Sequence, residues 1–126
     1  MNDERHRQLV WALRDRLPLE QITPTHDIST EQLPDPPAIN GYRPDLLAVS
    51  LAQTLVIAIA REGTELDSPT AIEEYRAFTA YRDPESGESA ALVVVVPTED
   101  KHEAEQTLVQ AGVSERSSVF AVGLPT

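Results

Sequence analysis

The residues best able to do chemistry stand where two apolar stretches begin and end. Asp45 opens the run DLLAVS, and Arg61 directly follows the run TLVIAIA. Two further carboxylates, Glu73 and Glu74, come later in the chain. Carboxylate oxygens are ligands that Mg²⁺ prefers, and a bound Mg²⁺ can polarise a phosphate and lower the pKa of an attacking water. Binding of a divalent metal ion is therefore the chemistry to test first against this sequence.

Two predicted strands would bring these residues side by side. Residues 45–50 and 54–60 are nearly continuous apolar runs, which is typical of strands covered on both faces. The short link between the two runs predicts an antiparallel pair. Alternate side chains of a strand share one face, so Ile59 and Arg61 should lie together, with Glu62 on the opposite face.

Helices are predicted before and after this strand pair. Residues 3–17 carry leucines and a valine at helical spacing, and Pro18 ends that helix. A second helix begins at Ser68-Pro69 with a Thr70-x-x-Glu73 capping box. A third helix covers residues 99–111 and ends at Gly112.

The remaining segments complete a mixed sheet. Residues 18–44 hold six of the ten prolines, so we expect an extended wrap with one short strand near residues 20–23, held to the body by spaced isoleucines and a leucine. Residues 90–96 and 117–123 predict two more strands. The helix between the strands that end at Ala60 and begin at Ala90 makes those strands parallel neighbours.

The predicted fold class is α/β, of the α+β kind, with a mixed central sheet flanked by helices. The expected order of elements is α-β-β-β-α-β-α-β, in a single domain that spans residues 1–126. This domain divides into an N-terminal helix (3–17), a proline-rich wrap (18–44) and a core (45–126).

The order of elements, together with GYRPDLLA, LVIAIA and the helix that follows them, resembles the restriction-endonuclease-like superfamily, the PD-(D/E)xK nucleases. The resemblance spans residues 39–96, and more loosely the whole chain. It implies a restriction-endonuclease-like core. It also implies a phosphodiesterase site in which an Asp and a second acid hold Mg²⁺ while a Lys positions or activates water.

The site that the resemblance implies is incomplete in this chain. Asp45 matches the family aspartate, but in the better register Ile59 takes the acidic position and Arg61 takes the Lys position. A second register places alanines at both positions. Neither register keeps the Lys, because the only Lys in the chain is Lys101. Guanidinium stays protonated and hardly acts as a base, and Ile offers a metal no ligand.

Three acids could replace the lost ligand. Glu62 would do so if a bulge turned it to the other face of its strand, and Glu73 or Glu74 could reach the site from the helix. Otherwise Glu73 closes its capping box and Glu74 is a solvated edge residue. Loss of the site is the favoured interpretation, and it predicts that Arg61 contacts Asp45 directly or through water.

The expected function is that of a nuclease-like domain without catalysis or cofactor, which binds a partner as a homodimer or with another protein. The alternative is an active Mg²⁺-dependent DNA endonuclease with a rearranged site. In that alternative Asp45 holds the metal with Glu62 or Glu74, and Arg61 stands in for Lys.

The charge of the chain weighs against nucleic acid as a partner, although the family resemblance keeps it open. There are twenty-one acids against ten bases, a net charge of −11, and such a surface repels nucleic acid unless its bases cluster. An acid excess with a single Lys fits either a halophilic-type protein or an Arg-preferring, GC-rich genome. The arginines of the first helix flank its apolar stripe, so we expect them to pair with acids: Arg5, Arg7, Arg14 and Arg16.

Several other features exclude whole classes of site. The chain has no cysteine, hence no disulfide and no thiolate ligand. It has no apolar run long enough for a membrane span and no signal peptide, so a cytoplasmic location without membrane contact is expected. His6, His26 and His102 lack metal-ligand spacing and are expected to be partly buried or at the surface. Trp11 projects away from the apolar stripe, where the following segment covers it or it is offered to a partner, and of these we expect cover by the segment.

Overall fold

Five strands form one mixed sheet in the computed structural model of the chain, which describes residues 3–84, 87–113 and 119–125. The strands follow one another across the sheet in chain order. Helices pack on both faces, which confirms the expected mixed sheet flanked by helices. The elements are α1 (Asp3–Arg16), β1 (Ile22–Asp27), β2 (Leu46–Ser50), β3 (Leu55–Ala60), α2 (Pro69–Ala80), β4 (Ala91–Pro97), α3 (Lys101–Gln110) and β5 (Val119–Leu124).

The direction of each strand follows from the connection that precedes it. β1, β2 and β3 pair antiparallel, as the short link between β2 and β3 predicts. β3 and β4 are parallel because α2 carries the chain back to the same end of the sheet, and α3 does the same for β4 and β5. The prediction of parallel neighbours on either side of α2 is confirmed.

Alternating side chains divide the core into two apolar clusters, one on each face of the sheet. On one face Ile57 and Ile59 pack with Tyr75 and Phe78 of α2, and α3 completes the cover. On the other face the leucines of α1 pack against the remaining side chains of β2, β3 and β4. Both clusters end at polar side chains, where Asp45 precedes β2 and Arg61 follows β3.

The strand predicted near residues 20–23 is wrong in its bounds. A 3₁₀ turn occupies Leu17–Glu20, and Gln21 has a left-handed backbone (φ 60°), so pairing begins only at Ile22 and continues to Asp27. The wrap is held to the body as expected, because Ile39 is buried and Leu33 is partly buried.

Smaller differences occur at the ends of the other elements. α3 begins at Lys101 because a 3₁₀ turn, Thr98–Asp100, precedes it. The last strand begins at Val119, and the predicted start at residues 117 and 118 lies outside the described residues. Within the described ranges, none of the helices has the length and apolar character needed to cross a membrane.

The prediction that the following segment covers Trp11 is wrong. The Trp11 side chain is 48% exposed, and the guanidinium carbon of Arg14 lies 4.9 Å from the centre of its ring. Pro18 and Pro24 approach the ring across an open cleft of about 250 Å³ and do not close over it. A cation–π contact therefore takes the place of apolar cover.

Candidate functional site

Asp45 directly precedes β2, and neighbouring strands hold its backbone on both sides. Its N–H donates to the carbonyl of Ala58 at 3.0 Å, and its carbonyl accepts from Ile28 at 3.1 Å. The carboxylate oxygen Oδ2 accepts the backbone N–H of Ala60 at 2.8 Å. Asp45 is buried, so its charge depends on partners of this kind.

Arg61 supplies the positive charge that Asp45 faces. Nη1 of Arg61 lies 3.4 Å from Oδ2 of Asp45 and donates to the Ala60 carbonyl at 2.7 Å. Nη2 contacts Oε2 of Glu74 on α2. The predicted contact between Asp45 and Arg61 is confirmed in its direct form, and one guanidinium joins the start of β2, the end of β3 and α2.

The family resemblance would place a second metal ligand at Ile59. Its side chain is 0% exposed, and it lies beside Val94 of β4 in the apolar cluster that α2 covers. A carboxylate at this position would be surrounded by hydrocarbon, where a charge without a partner is strongly disfavoured. The surroundings of Ile59 therefore suit an apolar side chain and not a carboxylate.

Glu62 points away from Arg61. Its backbone is extended (φ −150°, ψ 154°), so the alternation of β3 continues through it. Its Oε2 lies 2.9 Å from Nη1 of Arg5, and Arg5 also donates to Glu99 at 3.0 Å. The hypothesis that a bulge turns Glu62 toward Asp45 is therefore wrong.

Glu73 is held by a tyrosine, and the capping-box prediction is wrong. The N-cap of α2 is Ser68, whose hydroxyl accepts the N–H of Ala71 at 3.1 Å, so Glu73 stands beyond the reach of a box. Instead the Tyr42 hydroxyl donates to Oε2 of Glu73 at 2.8 Å. This hydrogen bond to a carboxylate raises the pKa of Tyr42.

Glu74 is not the solvated edge residue that its charge suggested. Its side chain is 13% exposed and contacts the Arg61 guanidinium. Glu74 comes three residues after Ala71 and four before Phe78, and both of these are buried. Helical spacing thus turns Glu74 toward the sheet, and this spacing was the signal in the sequence that identifies it as a partner.

His6 is the residue of this site that sequence reasoning missed. Its Nε2 lies 2.8 Å from Oδ2 of Asp45, without the alignment of a regular hydrogen bond. His6 is partly buried on α1, as expected, and its place in the middle of the apolar stripe was the available signal. His26, near Thr25, and His102, near Gln106, make local contacts elsewhere, in agreement with their expected partly buried and surface positions.

Tyr75 belongs to the apolar cluster that α2 covers, and the charges of Arg61 and Glu74 act on it. Its ring is buried, and its hydroxyl donates to the carbonyl of Leu66 at 2.7 Å. Burial raises the pKa of Tyr75 to about 12; the charge of Arg61 lowers the pKa, and the carboxylate of Glu74 raises it. At neutral pH the phenol is protonated and acts as a hydrogen-bond donor.

Two arginines of α1 pair with acids, as predicted for them. Arg5 bridges Glu62 and Glu99, and Nε of Arg14 lies 3.3 Å from Oδ2 of the buried Asp27. The positive charges of Arg5 and Arg14 are therefore engaged with carboxylates of the same chain. They offer little to a phosphate backbone.

The oxygen atoms of the site fit a guanidinium better than a magnesium ion. The oxygens that a cation would use are Oδ2 of Asp45, Oε2 of Glu74 and the carbonyl of Ala60, and Arg61 contacts all three. Within the described ranges no group of three or more His, Asp or Glu could hold a metal ion. The guanidinium is planar and permanently charged, so it satisfies these oxygens without activating a water molecule.

Comparison of the chain with protein-family models, with curated proteins and with solved structures finds no match. The α+β architecture and the geometry of the site are therefore the basis for an assignment of function.

Proposed function

We propose that this protein is a nuclease-like domain that has lost metal-dependent phosphodiesterase activity and acts by binding a partner. The observation that carries the proposal is the position of the Arg61 guanidinium between the carboxylates of Asp45 and Glu74. A fixed cation in this place offsets one of the two negative charges and takes up the oxygens that Mg²⁺ would need.

The surroundings of the site support the same proposal. Ile59 is buried among apolar side chains, and Glu62 is paired with Arg5 on the other face of the strand. The restriction-endonuclease-like core itself remains part of the proposal, and it rests on the order of elements and on the Pro44-Asp45 pair. A cytoplasmic location is also part of the proposal.

One contact favours the alternative, an active Mg²⁺-dependent DNA endonuclease with a rearranged site. Asp45 and Glu74 contact the same guanidinium, so a divalent ion that displaced Arg61 would meet both carboxylates. Glu74 is therefore a better candidate than Glu62 for the second ligand. Displacement must overcome the loss of two ion pairs with Arg61, which opposes this alternative.

Titration with Mn²⁺ distinguishes the two functions. Isothermal calorimetry would compare the wild-type protein with Asp45→Ala, at both low and high salt because the chain is strongly acidic. The proposal expects equal, negligible heats from both proteins, and no cleavage of plasmid DNA with Mn²⁺ or Mg²⁺. Saturable binding by wild type that Asp45→Ala abolishes, together with metal-dependent cleavage, would establish the endonuclease instead.

A matched control keeps that comparison interpretable. Glu20→Ala removes an exposed carboxylate just before β1, whose first residue pairs with Ser50 at the end of β2 that is far from Asp45. If Glu20→Ala and Asp45→Ala change Mn²⁺ binding by the same amount, the ion is held by the general negative charge of the surface. Circular dichroism of each variant confirms that it is folded before the titration.

A further inference from the structure

Two open cavities lie side by side between helix α1 and the loop that follows β1. One has a volume of about 480 Å³ and the other of about 330 Å³, which is the size range of small-molecule sites. Arg7, Ile28 and Asp35 line both cavities, so they lie where the two adjoin. His6 lines only the smaller cavity, and Glu31 lines only the larger one. We call the two cavities together the α1 cleft.

The charged side chains of the α1 cleft are available to a ligand. Arg5 and Arg14 of the same helix pair with carboxylates, but no described carboxylate forms an ion pair with the exposed Arg7. Glu31 and Asp35 are also exposed, and neither forms an ion pair with any residue that the structure describes. The cleft therefore offers one positive and two negative charges.

Hydrogen bonds hold the loop wall of the cleft in place. The N–H of Asp27 donates to the carbonyl of Pro34 at 3.1 Å, which closes the loop at its base. The side chain of Asp27 accepts the N–H of Ser29 at 2.7 Å. The N–H of Ile28 donates to the carbonyl of Asp45 at 3.1 Å, which ties the loop to the sheet. A wall that is already ordered loses little conformational freedom when a ligand binds.

We propose that the α1 cleft binds a basic α-amino acid of the lysine type. Its α-carboxylate and α-ammonium group are attached to one carbon, so they contact Arg7 and Asp35 where the two cavities adjoin. Its aliphatic chain lies along the partly buried Leu33 in the larger cavity, and its terminal ammonium group meets Glu31. This binding goes beyond the function proposed above and does not depend on whether the site around Arg61 is catalytic.

The charges of the cleft select this class of ligand over simpler ions. An anion such as phosphate could pair with Arg7, but Asp35, Glu31 and the net charge of −11 would repel it. Arg7 would repel a metal ion, and within the described ranges no group of three or more His, Asp or Glu could hold one. Lysine carries two ammonium groups and one carboxylate at neutral pH, which is the complement of the one positive and two negative charges in the cleft.

Titration of the isotope-labelled protein with L-lysine, followed by NMR at constant ionic strength, tests the ligand. Lysine should shift the amide signals of the loop that lines the cleft, and the shifts should saturate. Three analogues each lack one charged group: norleucine lacks the terminal ammonium group, ε-aminocaproate lacks the α-ammonium group, and cadaverine lacks the carboxylate. Each should bind about two- to fivefold more weakly than lysine, which is the loss expected for one exposed ion pair. Equal binding of cadaverine and lysine would mean that the acidic surface attracts any cation, and it would overturn the proposal.

Substitutions then assign each charged group of the ligand to its partner. Arg7→Gln should remove the preference for lysine over cadaverine, Asp35→Asn the preference over ε-aminocaproate, and Glu31→Gln the preference over norleucine. Arg16→Gln is the matched control, because Arg16 is exposed at the other end of α1, and it should leave lysine binding unchanged. The proposal fails if lysine gives no saturable shifts, if the shifts lie away from the cleft, or if Arg16→Gln weakens binding as much as Arg7→Gln.

Discussion

The guanidinium of Arg61 lies 3.4 Å from the carboxylate of Asp45 on the neighbouring strand. The same guanidinium contacts Glu74 on the helix that follows. This places a permanent positive charge where two carboxylates and the carbonyl of Ala60 converge, and it accounts for a buried aspartate at the end of an apolar sheet.

Removal of either partner of this pair should destabilise the protein strongly. Asp45→Asn and Arg61→Met are each expected to lower the free energy of unfolding by about 3 kcal/mol, because each removes one partner from a largely buried charge. Arg61 then keeps Glu74, and Asp45 keeps His6 and the N–H of Ala60. The double variant should lose less than the sum, with a coupling of about 1–3 kcal/mol. Urea unfolding at neutral pH measures all three. Arg5→Met, which breaks a more exposed pair, should cost about 1 kcal/mol or less. Strict additivity would show that Asp45 and Arg61 are independent.

Removal of the guanidinium should also create a weak cation site. In Arg61→Met the oxygens of Asp45, Glu74 and Ala60 lose their common partner, so Mn²⁺ should bind with a dissociation constant of about 1 mM, a range typical of sites with few charged ligands. Mn²⁺ should also raise the melting temperature of this variant and leave that of wild type unchanged. The Asp45→Asn/Arg61→Met double variant should show neither effect. A response that survives in the double variant would place the ion elsewhere.

Ile59→Glu should disrupt the fold and not repair the site. The new carboxylate would be buried between β4 and α2, and the expected loss of stability is several kcal/mol, at least about 3. Ile59→Val, which removes one methyl group, should cost about 0.5–1.5 kcal/mol. Thermal unfolding of both variants, with and without Mn²⁺, gives the comparison. A stable Ile59→Glu variant that binds Mn²⁺ would mean that this position accepts a metal-binding carboxylate.

Stability should fall in alkaline solution through Tyr75. Its pKa is about 12 in the folded chain and about 10 in the unfolded chain, so the phenol favours folding below pH 10 and this contribution is lost as pH rises to 12. The two-unit difference corresponds to about 2.7 kcal/mol. Urea unfolding between pH 9 and about pH 12 should show the decrease, which Tyr75→Phe should reduce. If stability decreases by the same amount in Tyr75→Phe, the alkaline loss of stability comes from other groups. Tyr42→Phe tests the other tyrosine whose pKa is raised.

The regular elements could be predicted because their signals are local. The apolar runs before and after residues 51–53, Pro69 at the first position of α2 and Gly112 after α3 each act within a few neighbouring residues. The predicted start of the first strand was wrong because proline content excludes a long helix but does not show which short structure follows Pro18. A 3₁₀ turn, Leu17–Glu20, comes first, and the strand begins only after it.

The partners of the charged residues were harder to predict. Asp45 and Arg61 could be paired from sequence because adjacent antiparallel strands bring them together. Glu73 could not be paired with Tyr42 in the same way, since that contact depends on how the wrap before β2 passes α2. The exposure of Trp11 likewise depends on where Pro18 and Pro24 lie around its ring.

The sequence by itself determined the mixed sheet with its helices and the placing of apolar Ile59 and cationic Arg61 at the end of β3, because these depend on residue types and short-range periodicity. The tertiary structure alone decided that His6 contacts Asp45, that Glu74 contacts the guanidinium beside Asp45, and that Glu62 turns to Arg5. The physical reason is that the interaction of two charges depends on the distance between them. For a charge at the end of the sheet, the distances to charged residues on the helices are set only when those helices pack on both faces of the sheet.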